Sequence, residues 1–254
     1  MDQDLKKKRI ILGLDVSTRC IGSTVASLDD DGTIKILEIS HLRLKTPSKI
    51  KGTKSLFLKS DLFKQKLKDK YMKYYITDVI IEEPLISSNN SETAATLMRF
   101  NGMISQSVKD ILGVIPDYIS SYDARKYGCP SLMAIRKYDK HGEPYPYKKI
   151  QKSIRKNELV LFGAYPFDCA KKYILWNYIS EKFPDIKWEY NKKQELKDEN
   201  FDASDSLMCV LGYVSKCKYE KKEPEIVCCT SNKNCIEYTV SFCGQTFSKT
   251  ITFE

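Results

Sequence analysis

RIILGLDV (Arg9–Val16), continued by STRCIGSTVASL (Ser17–Leu28), is the stretch on which the fold turns. Its first eight residues are a near-continuous apolar run closed by an acid, the pattern of a central strand buried on both faces. Ser17, Thr18 and Arg19 mark a turn, and Ile21 to Leu28 reads as a second strand. A further turn at Asp29-Asp30-Asp31-Gly32 leads to a third strand, Ile34 to Leu44, so the chain opens as a meander.

Beyond it the period changes. Leu56 to Tyr74 carries apolar residues at helical spacing, DVIIEE (Asp78–Glu83) returns to strand, and Pro84 ends it. Ser91 to Leu112 reads as a helix with Ser91 at its N-cap, and Asp117 to Ser121 as a short strand. Asp123 to Tyr165, rich in Lys, Tyr and Pro, reads as an insertion holding one basic helix near Tyr147 to Phe162. Two helices follow, Asp168 to Phe183 and Asp202 to Lys216, and the alternating tail from Ile226 predicts a β-hairpin turning at Gly244. This order gives a mixed α/β sheet flanked by helices, a main domain over 1–216 with a basic insertion at about 128–165, and a Cys-rich tail over 217–254.

Composition narrows the function. The 254 residues are 42% hydrophobic and 30% charged, enough apolar material for a core and too much for a disordered chain. No run reaches the roughly 20 apolar residues that span a bilayer, and MDQDLKKKR lacks a signal-peptide core, so a cytoplasmic chain without membrane contact is expected. The net charge of +9 is clustered: ten Lys against two Asp lie between Lys45 and Lys73, and ten Lys or Arg against four acids between Arg136 and Lys172. Such clusters suit a polyphosphate partner, although Lys-rich faces are also simply solvated. Nine Cys without a CxxC pair, and only two His (His41 and His141), give no zinc spacing. Five of these Cys, at 217, 228, 229, 235 and 243, crowd the tail, where a metal or disulfide role stays open.

Three acidic features sit at element edges: Asp15 closes the first strand, Glu82 with Glu83 closes the fourth, and Asp202 and Asp205 lie near the start of the last helix. Alternation lets only one of Glu82 and Glu83 face the side of Asp15, whereas the i, i+3 spacing puts Asp202 and Asp205 on one helix face. Each has a plain alternative, as a turn residue, a solvated strand end or an N-cap with its dipole partner. Carboxylates that converge need a compensating cation, and a hard divalent metal with oxygen ligands is the usual one.

ILGLDVSTRCIGSTVAS, VIIEEPLISSN with TAATLMRFNGMI, ISSYDARKYG and DASDSLMCVLGYV, in that order, resemble the RuvC-type Holliday-junction resolvases of the ribonuclease H-like superfamily. The resemblance spans about residues 9–126 and 168–216, and the Lys-rich additions look like those of a phage or viral relative. It implies a five-stranded ribonuclease H-like sheet and a metal-dependent endonuclease that resolves branched DNA. Two Mg2+ ions, replaceable by Mn2+, would be held by Asp15, Glu82, Asp202 and Asp205, in a homodimer built through the helix after Glu82. Leu85 stands where bacterial members carry an aromatic that enters the junction, and Glu83 where an uncharged polar residue is usual. Lys148, Lys149, Lys152, Arg155 and Lys156 of the insertion, with Arg125, are the expected DNA contacts. Two other readings compete: a non-catalytic nucleic-acid-binding module on the same fold, and an ATPase of the actin and sugar-kinase type, whose first phosphate motif GLDVSTRCIGSTVAS also resembles. The latter needs a second related domain and a second Gly-rich Asp motif, which the sequence lacks.

Overall fold

The computed structural model describes residues 9–84, 91–136, 161–163, 170–231 and 235–252. The opening meander forms as read: β1 (Arg9–Val16), β2 (Cys20–Leu28) and β3 (Ile34–Arg43) pair antiparallel in sequence order. Ser17 makes the first turn, its hydroxyl donating to the Cys20 carbonyl at 2.7 Å and accepting from the Cys20 amide at 3.0 Å. After α1 (Gly52–Lys66), a widened helical turn over Leu67–Tyr71 and a tight one over Met72–Tyr74 lead into β4 (Asp78–Glu82), which lies parallel to β1. Then α2 (Ser91–Leu112) crosses over to β5 (Asp117–Ile119), parallel to β4. The sheet order is β3-β2-β1-β4-β5, a mixed five-stranded sheet flanked by helices, the ribonuclease H-like arrangement.

Alternation along β1 sorts the two cores. Leu12, Leu14 and Val16 face one side with Ile21, Val25, Val79 and Ile81, against Phe63 of α1 and Phe100 and Ile104 of α2. Ile11 faces the other, with Ala26 and Ile80, against Leu207, Met208, Val210 and Leu211. These last belong to α5 (Glu199–Tyr219), and α4 (Lys171–Lys182) adds Leu175 and Ile179 to the same core. Nearly every side of α5 is buried from Glu199 to Gly212, because it is packed between the sheet, α3 and α4.

Helix α3 (Ser121–Gly128) corrects the sequence reading, which placed most of it in the irregular insertion. Its polar composition hides the period: only Ala124, Tyr127 and Gly128 are buried, while the Ser120 hydroxyl caps it by accepting from the Asp123 amide at 3.0 Å. A second correction falls on the insertion itself, where β6 (Ala134–Arg136) pairs with β7 (Leu161–Gly163), so Leu161 and Phe162 are strand and not the end of a helix. The rest of that expected helix lies outside the described residues. A third falls on the tail: β8 (Glu225–Ser231) adds to the expected hairpin of β9 (Cys235–Phe242) and β10 (Gln245–Thr252), making a three-stranded sheet ordered β10-β9-β8. Tyr238, Val240 and Phe242 of that sheet pack on Tyr127 and Met133. Among the described residues the tail cysteines Cys217, Cys228, Cys235 and Cys243 form no disulfide.

Candidate acidic site

The register of β1 on β4 pairs Leu14 with Ile81, which places Asp15 and Glu82 one residue further on, at adjacent strand ends and on one face. That face is the one α5 covers. Two glycines let the helix descend on it: a Cβ on Gly13 would meet the Ser206 carbonyl oxygen at 2.4 Å, and one on Gly22 would meet the Asp202 carbonyl oxygen at 1.8 Å. Gly22 is paired directly with Asp15 across β1 and β2, so the contact that only glycine permits lies beside the strand-end acid. Thr24, further along the same face, bonds the Ser206 hydroxyl at 2.8 Å and fixes the helix in register. Asp202 and Asp205 are thereby held against the ends of β1 and β4. Asp202 lies inside the helix and is not its N-cap, since α5 starts at Glu199.

All four carboxylates are half-buried within segments whose neighbouring residues are mostly buried. Burial, followed by the negative charges of Glu82, Asp205 and Asp202, pushes the Asp15 carboxyl well above the carboxylate range, with Lys172 opposing. Glu82 is pushed up to about 8 by burial and by Asp205, against the pull of Arg125 and of the Cys209 thiol, which lies 3.9 Å from its Oε2. Asp205 and Asp202 are raised chiefly by burial. Arg125 of α3 is opposed to Asp205, donating from Nη2 to Oδ1 at 3.2 Å. The Cys20 thiol bonds Asp202 and is itself pushed up to about 12, first by burial and then by that carboxylate.

The structure thus brings Asp15, Glu82, Asp202 and Asp205 into one field and sends Glu83 to the exposed side, its amide donating to the Ile119 carbonyl at 2.9 Å. It places Arg125 in that field beside Asp205, which the sequence reading had as a DNA contact. Lys148, Lys149, Lys152, Arg155, Lys156 and Leu85 lie outside the described residues. The glycines and Lys172 were missed. Two strand-interior glycines on the face of a strand-end acid are the signal of close backbone approach that would have found Gly13 and Gly22. Among the described residues no three acidic, His or Cys side chains already close a ligand shell. The donor set nevertheless fits a hard divalent cation: four carboxylates that share one electrostatic field, each held above its ordinary range, with few cations to offset them.

Comparison with family models and with curated protein sequences finds no match. Among solved structures the chain is similar to RuvC of Thermus thermophilus. In complex with Holliday junction substrate, that protein aligns at 9% identity and a TM-score of 0.50, over 82% of this chain and 95% of the other. Thermus thermophilus RuvC is also matched in a second structure, at 10% identity and a TM-score of 0.50, over 85% and 99% of the two chains. The chain therefore has the RuvC-type resolvase fold.

Proposed function

We propose that this chain is a metal-dependent endonuclease that resolves Holliday junctions or related branched DNA by phosphodiester hydrolysis. The observation that carries the reading is that four half-buried carboxylates from three separate elements share one electrostatic field, made possible by glycines that let the helix backbone approach the sheet. A non-catalytic module has no reason to keep such a cluster, because each buried carboxylate costs desolvation free energy. The similarity to a protein solved with junction substrate supports DNA as the polymer.

Asp15, Glu82, Asp202 and Asp205 would hold two Mg2+ ions, with Mn2+ able to replace them, and such ions polarise a phosphodiester and stabilise its attacking and leaving oxygens. The rest of the chemistry is the chain's own. Asp15, which feels all three other acids, would be held most firmly by a bound cation, and Arg125 neutralises one side of Asp205 so that the cluster is not wholly uncompensated. Lys172 on α4 adds positive field towards Asp15, Asp202 and Asp205. Basic residues of the insertion would grip the DNA arms, and a homodimer would present two such sites to a two-fold substrate.

Incubating the chain with four-way junctions, forks, flaps and linear duplexes of matched sequence tests this. Nicks confined to the branched DNAs, present with Mg2+ or Mn2+ and lost in EDTA, are expected. Failure to cut any of them under any metal condition would contradict the reading.

A further inference from the structure

A cleft of about 550 Å³ is lined by Thr18, Arg19, Arg43, Lys45, Thr46 and Lys59, together with Asp198 and Glu199 at the start of α5. Four cations face two acids there, and part of the set is held in place. The Lys59 ammonium donates to the Thr18 carbonyl at 2.7 Å, and Arg43 is ion-paired to Glu199, whose side chain is only 11% exposed. Arg19 and Lys45 are exposed and form no ion pair among the described residues. Elsewhere in the Lys45–Lys73 cluster, Lys70 and Lys73 pair with Glu38, and Lys64 with Asp110.

Its position gives it meaning. Thr18 and Arg19 lie in the turn that follows Asp15, Glu199 lies one helical turn before Asp202, and the Arg19 charge acts on the Asp202 carboxyl. We propose that this cleft binds the backbone phosphates of the DNA strand next to the one at the acidic centre, Arg19 and Lys45 supplying the phosphate contacts and Lys59 and Arg43 bracing the walls. The proposal rests on the nuclease reading and adds the track the strand follows. It also supplies a grip independent of the insertion. A cleft that opens to solvent, lined by residues that neighbour Asp15 and Asp202 along the chain, fits a through-running strand better than a closed pocket for a small phosphate.

Fluorescence anisotropy of a labelled four-way junction, in EDTA and over about 50 to 200 mM salt, tests it with full-length chain. Removing both charges in Arg19→Gln/Lys45→Gln is expected to reduce the slope of log K against log salt by about 1.8, and each single change by about 0.9. Arg19→Lys/Lys45→Arg keeps the charges and is expected to keep the wild-type slope. Both positions are exposed, so a melting curve matching wild type accompanies either variant. Wild-type binding with an unchanged slope in the double variant would overturn the cleft and leave the nuclease reading standing. No junction binding by wild type would overturn both. Inorganic tripolyphosphate should compete with the junction; tripolyphosphate binding that the double variant loses while junction binding is unaltered would assign the cleft to a small polyphosphate and overturn the strand assignment.

Discussion

Glu82 ends a strand in which it follows the apolar run Val79, Ile80 and Ile81, and its carboxyl is held at about 8 against an ordinary 4.5. Between those values the folded chain keeps a proton that the unfolded chain has released. The resulting stabilisation is complete below the ordinary value and is lost as pH rises through about 8. Asp78 and Glu38, which cations and hydrogen bonds hold below the ordinary range, act at more acid pH and do not offset this loss. In EDTA the thermal midpoint is therefore expected to fall between about pH 5 and about pH 8. The fall should be smaller in Glu82→Gln and reversed by Mg2+. A midpoint that rises steadily to pH 8 in EDTA would contradict the placement of Glu82 beside Asp15 and Asp205. The acids themselves were legible in the sequence as element edges. Their convergence was not, because it depends on a helix backbone settling onto two glycines and on Arg125 arriving from a helix that polar residues disguise.

The elements differ in how openly the sequence declares them. A strand buried on both faces needs an apolar middle, which is why RIILGLDV gives β1 at its true bounds and DVIIEE gives β4 one residue longer than it is. Helix α3 buries small residues instead: a Cβ on Gly212 of α5 would stand 2.5 Å from the Ala124 Cα, and one on Gly128 would stand 2.5 Å from the Met208 Sδ. That kind of seam leaves no apolar period to read. The β8 strand escaped for a related reason, since its charged and Cys-containing sequence faces solvent along much of its length. The same close packing makes α5 intolerant of added volume. Gly22→Ala is expected to cost about 3 kcal/mol in denaturant unfolding, because the new methyl meets backbone that cannot swing aside. Thr24→Ala, which only removes the hydroxyl bonded to Ser206, is expected to cost about 1 kcal/mol. Equal stability of Gly22→Ala and wild type would show that α5 does not lie on β2 as described.

At the scale of the molecule, the resemblance implies an interface through α2, the helix after Glu82, and that helix carries more apolar residues than the monomer core takes. The monomer core takes Ala94, Phe100, Ile104 and Val108, whereas Met98 is 50% exposed. Phe57, Leu58 and Leu62 of the adjoining α1 are exposed as well. We therefore expect the outer surface of α1 and α2 to join two copies, each presenting its acidic centre to one strand of a two-fold junction. Sedimentation at micromolar concentration is expected to give a dimer, and Phe57→Glu/Met98→Glu a monomer that nicks junctions singly. A wild-type monomer that still makes paired symmetric nicks would contradict this.

The acidic centre as the seat of cleavage is the claim on which the other proposals depend, and Asp15→Asn tests it most directly. The substitution removes one negative charge with little change of volume, at the carboxyl that feels all three others. In a nicking assay on a four-way junction with Mg2+, the variant is expected to lose cleavage while binding the junction at least as tightly as wild type. Wild-type nicking by Asp15→Asn would place the chemistry elsewhere in the molecule.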